Sequence, residues 1–413
     1  MTFKLQKKPI AILLLLIVST TGCVSQIVKS TTIPPVKTEN IALPEDELLD
    51  VGISIFAPGL DKEEENIFPA IRQAEALYMP YTMMETIQSS GAWGAVRVVP
   101  DSQQVVDLMV SGTIISSDGE MLEVKIIARD STGRIWINKP YKAATSKYSY
   151  EANRSHRHKL DPFQAIYNSV ANDLLARQQQ FTRQQALEVR LVSELKFAQS
   201  FSKDAFGAYL NEDKNKLTKI ARLPAANDPM LERVRKIRER DHLFIDTMQE
   251  HYASFNNQMS RPYQEWRKQS YGEVIALREL KSESTKRMIA GVAAIVGGIA
   301  AAGSDNRSAR TAGNVAIAGG GYMVKSGLDK RAESEIHVEA LGELGASLEA
   351  EVTPQVIKLE DRSITLSGSV EDQYRQWRSI LKKIYETEFS EQSASNSVTT
   401  DVANVKKIPS PVN

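Results

Sequence analysis

The segment LMVSGTIISSDGEMLEVKIIARD, residues 108–130, decides how the first half of this 413-residue chain folds. Apolar and polar residues alternate on both sides of Ser117-Asp118-Gly119, a composition typical of a tight turn. The pattern predicts two antiparallel strands, Leu108 to Ser116 and Met121 to Asp130. A third strand, Arg134 to Tyr141, is predicted after a second turn of Ser, Thr and Gly.

Further predicted elements flank this three-stranded meander. Val51 to Phe56 and Val96 to Val99 are typical of short strands, and Ala70 to Gln88 carries apolar residues at helical spacing. Pro80 is expected to break or kink that helix. Asp161-Pro162 fits the N-cap and first position of another helix. Together these elements predict a mixed α/β domain over residues 50–178.

The first 22 residues have the three parts of an export signal. Three lysines form a basic region, Ile10 to Val18 is apolar, and small residues then lead to Cys23, the single cysteine of the chain. The apolar run is shorter than the roughly 20 residues that a bilayer span needs. Residues 1–22 are therefore predicted to be a cleaved signal peptide.

The position of Cys23 resembles the lipobox of bacterial lipoproteins, although Thr20 stands where that family usually has Leu. The resemblance implies that Cys23 carries diacylglycerol and an N-acyl chain, with no other cofactor expected. Val24 in place of Asp implies, by the enterobacterial sorting rule, transfer to the outer membrane, facing the periplasm. The alternative, an ordinary signal peptide followed by an incidental cysteine, is disfavoured by the position of Cys23.

The α/β segment also resembles the small domain of several outer-membrane lipoproteins. These are curli-secretion-type lipoproteins, penicillin-binding-protein activators and transporter-auxiliary lipoproteins. The residues that carry the resemblance are Val51 to Phe56, Asp107 to Thr113, Val124 to Arg129 and Asp130 to Ile135. The resemblance implies a fold and a location more than an activity, because one fold supports many functions.

Two regions flank the α/β domain in the sequence. Residues 23–49 are rich in Ser, Thr, Pro and Lys without an apolar period, which predicts a lipidated flexible tether. Residues 179–287 are predicted to be a charged helical region. Its predicted helices run from Gln185 to Phe201, from Met230 to Phe255, and onward from Pro262. The predicted buried face of the first comprises Leu187, Leu191, Leu195 and Ala198.

Residues 288–328 have the most unusual composition in the chain. Met288 to Gly303 contains no charged residue, and a second run of small residues, Ala312 to Gly327, follows a polar turn. Glycine costs about 1 kcal/mol relative to alanine inside a helix, so this segment needs a compensating contact. Small residues four apart supply one by letting two helices approach closely. The predicted packing positions are Ala290, Ala294, Gly298, Ala302, Ala312, Ala316 and Gly320.

This glycine-rich segment resembles the glycine-zipper hairpins of envelope lipoproteins, and three interpretations remain open. Two membrane-spanning helices would be strained, because 16 helical residues rise about 24 Å and the apolar core measures roughly 30 Å. Asn314 and Lys325 also interrupt the second run. Self-association through the small-residue faces is the second interpretation. A tightly packed hairpin inside a folded domain is the third.

The C-terminal part predicts a small α/β unit over residues 329–389. Gln355 to Glu360 and Ser363 to Ser369 are typical of two strands, and Tyr374 to Thr387 of an amphipathic helix. The polar tail 390–413 is predicted to be disordered. With the preceding regions, this unit makes the expected fold class α+β.

No pattern in the sequence indicates a catalytic residue or a metal ligand. The single cysteine is assigned to the lipid, and His242 and His251, nine residues apart, would lie on opposite faces of a helix. His156-Arg157-His158 has no nearby acidic ligand. The net charge of zero gives no reason to expect nucleic-acid binding.

The expected role is therefore that of a non-enzymatic lipoprotein held on the membrane by its lipid. Either the chain self-associates as a structural or accessory part of an envelope assembly, or several subunits form a secretion or transport channel. In the second case the glycine-rich hairpins would insert into the membrane.

Overall fold

The computed structural model describes residues 30–39, 43–60, 69–100, 104–151, 160–225, 227–301, 355–359, 362–367 and 369–405. Within these residues the chain has an α+β fold, as predicted, in which a mixed five-stranded sheet is followed by long helices. The predicted signal peptide, Cys23, Ala302, Ala312, Ala316, Gly320 and the predicted helix 333–350 lie outside the described residues.

The strands are β1 (Val51–Ser54), β2 (Val96–Val99), β3 (Leu108–Ser117), β4 (Met121–Asp130), β5 (Ile135–Ala144), β6 (Leu210–Glu212), β7 (Thr218–Ile220), β8 (Gln355–Leu359) and β9 (Arg362–Leu366). The α-helices are α1 (Pro69–Gln88), α2 (Lys147–Glu151), α3 (Gln164–Gln178), α4 (Arg183–Phe201), α5 (Lys203–Phe206), α6 (Pro229–Ala301) and α7 (Val370–Val405).

The main sheet has the strand order β2-β1-β3-β4-β5. β1 pairs in parallel with β2 and β3, whereas β3, β4 and β5 form the predicted antiparallel meander. Along β4, buried and more exposed residues alternate, so one face of the strand lies in the core. We call the end of the sheet at Ser117–Met121 the turn end, and the opposite end, at Asp50, Asp107 and Asp130, the far end.

Of the break or kink expected at Pro80, the break is wrong, because α1 continues through this residue. Proline has no N–H to donate to the carbonyl four residues earlier, which here belongs to Ala76. The backbone N–H of Phe56 donates to that Ala76 oxygen at 3.1 Å instead. The carbonyl that proline leaves free is therefore satisfied by the segment that follows β1.

The helix after the meander begins later than predicted, at Gln164. Asp161 still accepts the backbone N–H of Phe163 at 2.8 Å, so it stabilises the turn that leads into α3. Both of its carboxylate oxygens also accept hydrogen bonds from Arg267, at 3.1 and 2.8 Å. Asp161 is thus drawn into a tertiary ion pair in addition to its local role.

The prediction that a new helix begins at Pro262 is also wrong. α6 is a single helix of 73 residues that contains Pro262, and it begins at Pro229, one residue before the predicted start at Met230, with Asp228 accepting the Met230 N–H. Met259 and Tyr263, on either side of the proline, are fully buried. We attribute the continuity to this packing, which holds both sides of the proline in place.

α6 crosses the sheet from the far end to the turn end. The Gln249 side-chain amide pairs with both backbone groups of Val98 on edge strand β2, each at 2.9 Å. At the turn end, the Gly119 N–H donates to Ser270 Oγ at 3.2 Å. A Cβ on Gly119 would lie only 2.1 Å from the Arg267 carbonyl oxygen, so this position needs glycine for close backbone approach.

A buried polar network joins α6 to α1 and to the start of α3. Arg267, whose side chain is fully buried, pairs with Asp161 and donates to the Tyr263 hydroxyl. Tyr263 and Ser117 both donate to the Glu75 carboxylate. Burial disfavours the charged guanidinium, but Asp161 and three neighbouring tyrosines together outweigh burial, so the pKa of Arg267 rises above its usual value.

The predicted flexible tether is wrong for the described residues 30–39 and 43–49. This segment crosses the α/β domain from the turn end to the far end, and Thr31 exchanges two hydrogen bonds with Ala144 at the end of β5. Asn168 and Asn172 of α3 donate to the carbonyls of the two prolines Pro34 and Pro35. A proline-rich segment does not form a helix that would use its own backbone carbonyls as acceptors. Here the side-chain amides of α3 donate to these carbonyls instead.

The buried face of α4 also differs from the predicted one. Leu195 and Ala198 are buried as expected, but Leu187 is 39 % exposed and Leu191 is only partly buried. Val189 and Val192, on an adjacent row of the helix, are fully buried instead. The β6–β7 hairpin that follows α5 was not predicted, because its strands are only three residues long.

The C-terminal unit forms as predicted in its strands and extends further in its helix. β8 and β9 pair as an antiparallel hairpin, and α7 runs to Val405. The prediction of disorder from residue 390 is therefore wrong up to Val405. No proline or glycine occurs between Val370 and Val405 to end the helix.

None of the described helices combines the length and the apolar composition needed to cross a bilayer.

Arg267→Met is expected to lower the free energy of unfolding by about 3–5 kcal/mol, because it leaves Asp161 charged and unpaired in the core. Urea denaturation followed by tryptophan fluorescence measures this. Arg375→Met is the matched control, since Arg375 is mostly exposed and its surface pair with Asp372 is expected to contribute little to stability.

The double variant Asp161→Leu/Arg267→Met is expected to recover much of the loss, because it buries no unpaired charge. An effect of Arg267→Met no larger than that of Arg375→Met would contradict the structural role assigned to this pair.

Candidate functional site

The residues predicted to act in anchoring and assembly are only partly placed. Ala290, Ala294 and Gly298 belong to the backbone of α6, so the first half of the predicted hairpin is helical up to Ala301. Cys23 and the remaining predicted packing positions lie outside the described residues. The assembly prediction therefore stays a prediction.

A charged cleft of about 420 Å³ lies at the far end of the sheet. It lies where the starts of β1 and β3 meet α4 and α6. Its charged lining residues are the arginines Arg97, Arg190, Arg235 and Arg238 and the acids Asp50, Asp107, Glu239 and Asp246.

Two aspartates hold the strand starts at the base of this cleft. The Asp50 N–H donates to Asp107 Oδ2 at 3.0 Å, and Asp50 Oδ1 accepts the Ala95 N–H at 2.8 Å. These bonds link the residues that precede all three parallel strands. The acids therefore fix the register of β1, β2 and β3 at this end of the sheet.

Arginines from two elements neutralise the acids. Arg238 lies 3.6 Å from Asp107 and donates to Ser193 Oγ at 2.7 Å, which ties α6 to both the sheet and α4. Arg97 of β2 donates from Nε and Nη2 to the two carboxylate oxygens of Asp246 on α6, at 2.5 and 2.9 Å. Such two-point pairs restrict geometry more than a single contact does.

Burial shifts the titration of two groups in the cleft. Burial, with smaller contributions from Arg238 and Arg97, lowers the pKa of His242 to about 4, so this imidazole is neutral at pH 7. Burial also raises the pKa of the Asp107 carboxyl, and Arg238 opposes that rise. The cleft therefore contains balanced arginine–carboxylate charges around a neutral histidine.

The polar side chains of this cleft link secondary-structure elements to one another. Ser193 of α4 accepts a hydrogen bond from Arg238 of α6 and also hydrogen-bonds the Asp107 carboxyl at the start of β3. Within the described ranges, no group of three or more His, Cys, Asp or Glu side chains could hold a metal ion. His251 is half-buried and does not line the cleft.

The sequence did not identify this cleft, because its residues come from five separated segments. A usable signal is the acid directly before each of two apolar strands, Asp50 before Val51 and Asp107 before Leu108. Parallel neighbouring strands bring such acids together. The contribution of α6, with a residue toward the cleft at nearly every turn, depends on the tertiary fold.

On the adjacent face of α6, Asp241 binds α7. Its carboxylate lies 3.5 Å from Arg378 and accepts the Tyr374 hydroxyl at 3.4 Å. Phe244 stacks on Tyr374 and Trp377, with ring centroids 6.5 and 5.2 Å apart. The C-terminal helix is thus held by aromatic packing around a buried acid.

Comparison with known proteins identifies no family for this chain and finds a weak structural match. No family model matches this sequence, and the search of curated proteins found no match. A crystal structure of a DUF330 protein from Xanthomonas campestris aligns with 36 % of this chain and 98 % of its own, at 16 % identity and a TM-score of 0.22. A match this weak supports no inference about fold or function.

Asp241→Asn is expected to remove part of the pH dependence of stability. Burial raises the pKa of Asp241 to about 6, with Arg378, Tyr374 and Arg238 only partly offsetting it. A raised folded-state pKa gives stability that is complete below about pH 4 and lost as the pH rises through about 6. Across this pH window, the free energy of unfolding of the parent is expected to fall by up to about 3 kcal/mol more than that of the variant.

Chemical denaturation between pH 4 and 7 measures this difference. Parallel stability curves for the parent and Asp241→Asn would contradict the assignment.

Proposed function

We propose that this protein is a lipid-anchored, periplasm-facing lipoprotein of the outer membrane that acts as a structural or accessory part of an envelope assembly. The lipid on Cys23 attaches it to the membrane. Its α/β domain and helical body face the periplasm, and its glycine-rich segment mediates self-association.

One observation carries the assembly part of the proposal. The helix that crosses the α/β domain, α6, continues without interruption into the small-residue run that begins at Met288. Its contacts with the sheet extend from Arg238 at the far end to Ser270 at the turn end. Contacts between glycine-rich segments of neighbouring subunits would therefore be connected to the α/β domain through one continuous helix.

Two further features support a binding role over an enzymatic one. The charged cleft is lined by four arginines and four acids, and the ion pairs Arg97–Asp246 and Arg238–Asp107 join the strands to α6. The chain as a whole has no net charge, which disfavours a nucleic-acid partner. The expected partners are the membrane and either further copies of this chain or another envelope protein.

A channel subunit is the second candidate. The same apolar run favours it, because this run starts within a helix. However, Met288–Ala301 rises only about 21 Å, whereas the apolar core of a bilayer is roughly 30 Å thick. Insertion from one side of the bilayer fits this length better than a complete span.

Cys23→Ser is expected to move the chain from the membrane fraction to the soluble periplasmic fraction, because the thiol that accepts the lipid is lost. Cell fractionation, together with the intact mass of the extracted protein, measures both effects. Ser25→Ala is the matched control and should stay membrane-bound with its acyl mass. A membrane-bound Cys23→Ser chain, or a parent mass without lipid, would contradict the anchor.

Gly298→Leu is expected to reduce the assembled fraction at micromolar concentration by at least about tenfold, because a leucine side chain separates two closely packed helices. Light scattering of the detergent-extracted protein measures the mass. Gly272→Leu is a matched control in the same helix, since a Cβ at Gly272 meets nothing within 4 Å. A monomeric parent, or equal effects of the two variants, would contradict assembly through this segment.

A further inference from the structure

The N-terminal segment enters the described structure at the turn end of the α/β domain. Thr31 donates its backbone N–H to the Ala144 oxygen and accepts the Ala144 N–H at its side chain, at 2.9 and 2.8 Å. Ala144 is paired with Met121, the residue that ends the turn between β3 and β4. Seven residues separate Thr31 from Cys23, so the Cα atoms of these two residues lie no more than roughly 28 Å apart.

The long helix passes the same end. Ser270 accepts the Gly119 N–H, and the ring of Tyr271 lies 6.0 Å from that of Tyr150, whose hydroxyl donates to the Gly119 oxygen. From Tyr271, α6 continues for 16 residues before its apolar run begins at Met288. At 1.5 Å per residue this distance is about 24 Å.

A lipid at Cys23 and the start of the apolar run at Met288 therefore both lie within roughly 30 Å of the turn end. Two separate parts of the chain, the segment before Thr31 and the helix after Tyr271, thus connect the same end of the domain to an apolar group. A lipid surface placed there accommodates both.

The turn end also presents side chains suited to an interface with lipid. Tyr148 and Leu160 are more than half exposed, and the Lys147 ammonium lies over the Tyr148 ring at 5.2 Å from its centroid. Leu160 directly precedes Asp161, which places it beside Arg267 of α6. Aromatic and lysine side chains, with apolar bodies and polar ends, are typical of membrane surfaces.

We propose that the turn end of the α/β domain faces the bilayer leaflet that holds the Cys23 lipid, and that the far end with its charged cleft faces away from it. This orientation rests on the anchor in the proposed function. α6 would act as a strut of fixed length between the leaflet and the sheet. Partners would then approach the cleft from the side opposite the membrane.

Energy transfer to labelled lipid tests this orientation. Once acylated, Cys23 leaves the chain without a free thiol, so Leu160→Cys and Leu243→Cys each supply a single labelling site. The two leucines are matched in exposure, at 62 % and 61 %. From Leu243 to Arg267, beside Leu160, α6 rises about 36 Å. Each labelled chain is reconstituted in phosphatidylethanolamine and phosphatidylglycerol vesicles that contain an acceptor-labelled lipid.

Transfer from the Leu160→Cys label is expected to be several times that from the Leu243→Cys label. Equal transfer from the two sites, or greater transfer from Leu243→Cys, would overturn the orientation. Loss of anchoring is a separate outcome, which the intact mass detects. If the chain carries no acyl mass, the Cys23→Ser variant with a histidine tag at its N terminus is bound to nickel-chelating lipid instead. The comparison of transfer from the Leu160→Cys and Leu243→Cys labels then decides the orientation in the same way.

Discussion

The buried pair of Arg267 and Asp161 is the constraint on which the rest of the fold depends. A fully buried guanidinium is tolerated only where a carboxylate and further polar groups surround it. Here those groups come from α1, from the turn before α3 and from α6 itself. The pair therefore fixes where the long helix lies on the sheet. The contacts of α6 with Gly119 and with Val98 need the same alignment.

The meander was predictable from sequence because alternation and turn composition are local signals. β2 and β4 occur at their predicted bounds, and β3 ends one residue beyond its prediction. The errors at Pro80 and Pro262 have a different origin, since local rules register the missing N–H but not the distant groups that compensate for it. Phe56 and Ala76 are twenty residues apart, and no short pattern connects them. The charged cleft was missed for the same reason.

The far end and the turn end of the domain differ in their chemistry. The far end joins strands, α4 and α6 through paired charges, and the Asp241 site holds α7 on the adjacent face of α6. The turn end is closed by backbone contacts and a buried network, with tyrosine and leucine at its surface. The domain is therefore chemically asymmetric along α6, with ion pairs at the far end and exposed apolar side chains at the turn end.

The docking of residues 30–39 changes how far an anchored domain can move. A free chain from residue 24 to residue 49 would extend up to about 90 Å, whereas the chain from Cys23 to Thr31 spans at most roughly 28 Å. Under the proposed lipid anchor, the volume that the folded body could search around Cys23 would therefore shrink roughly thirtyfold. Its local concentration beside the membrane would rise by the same factor, which would favour weak encounters between neighbours on one surface over capture of distant ones.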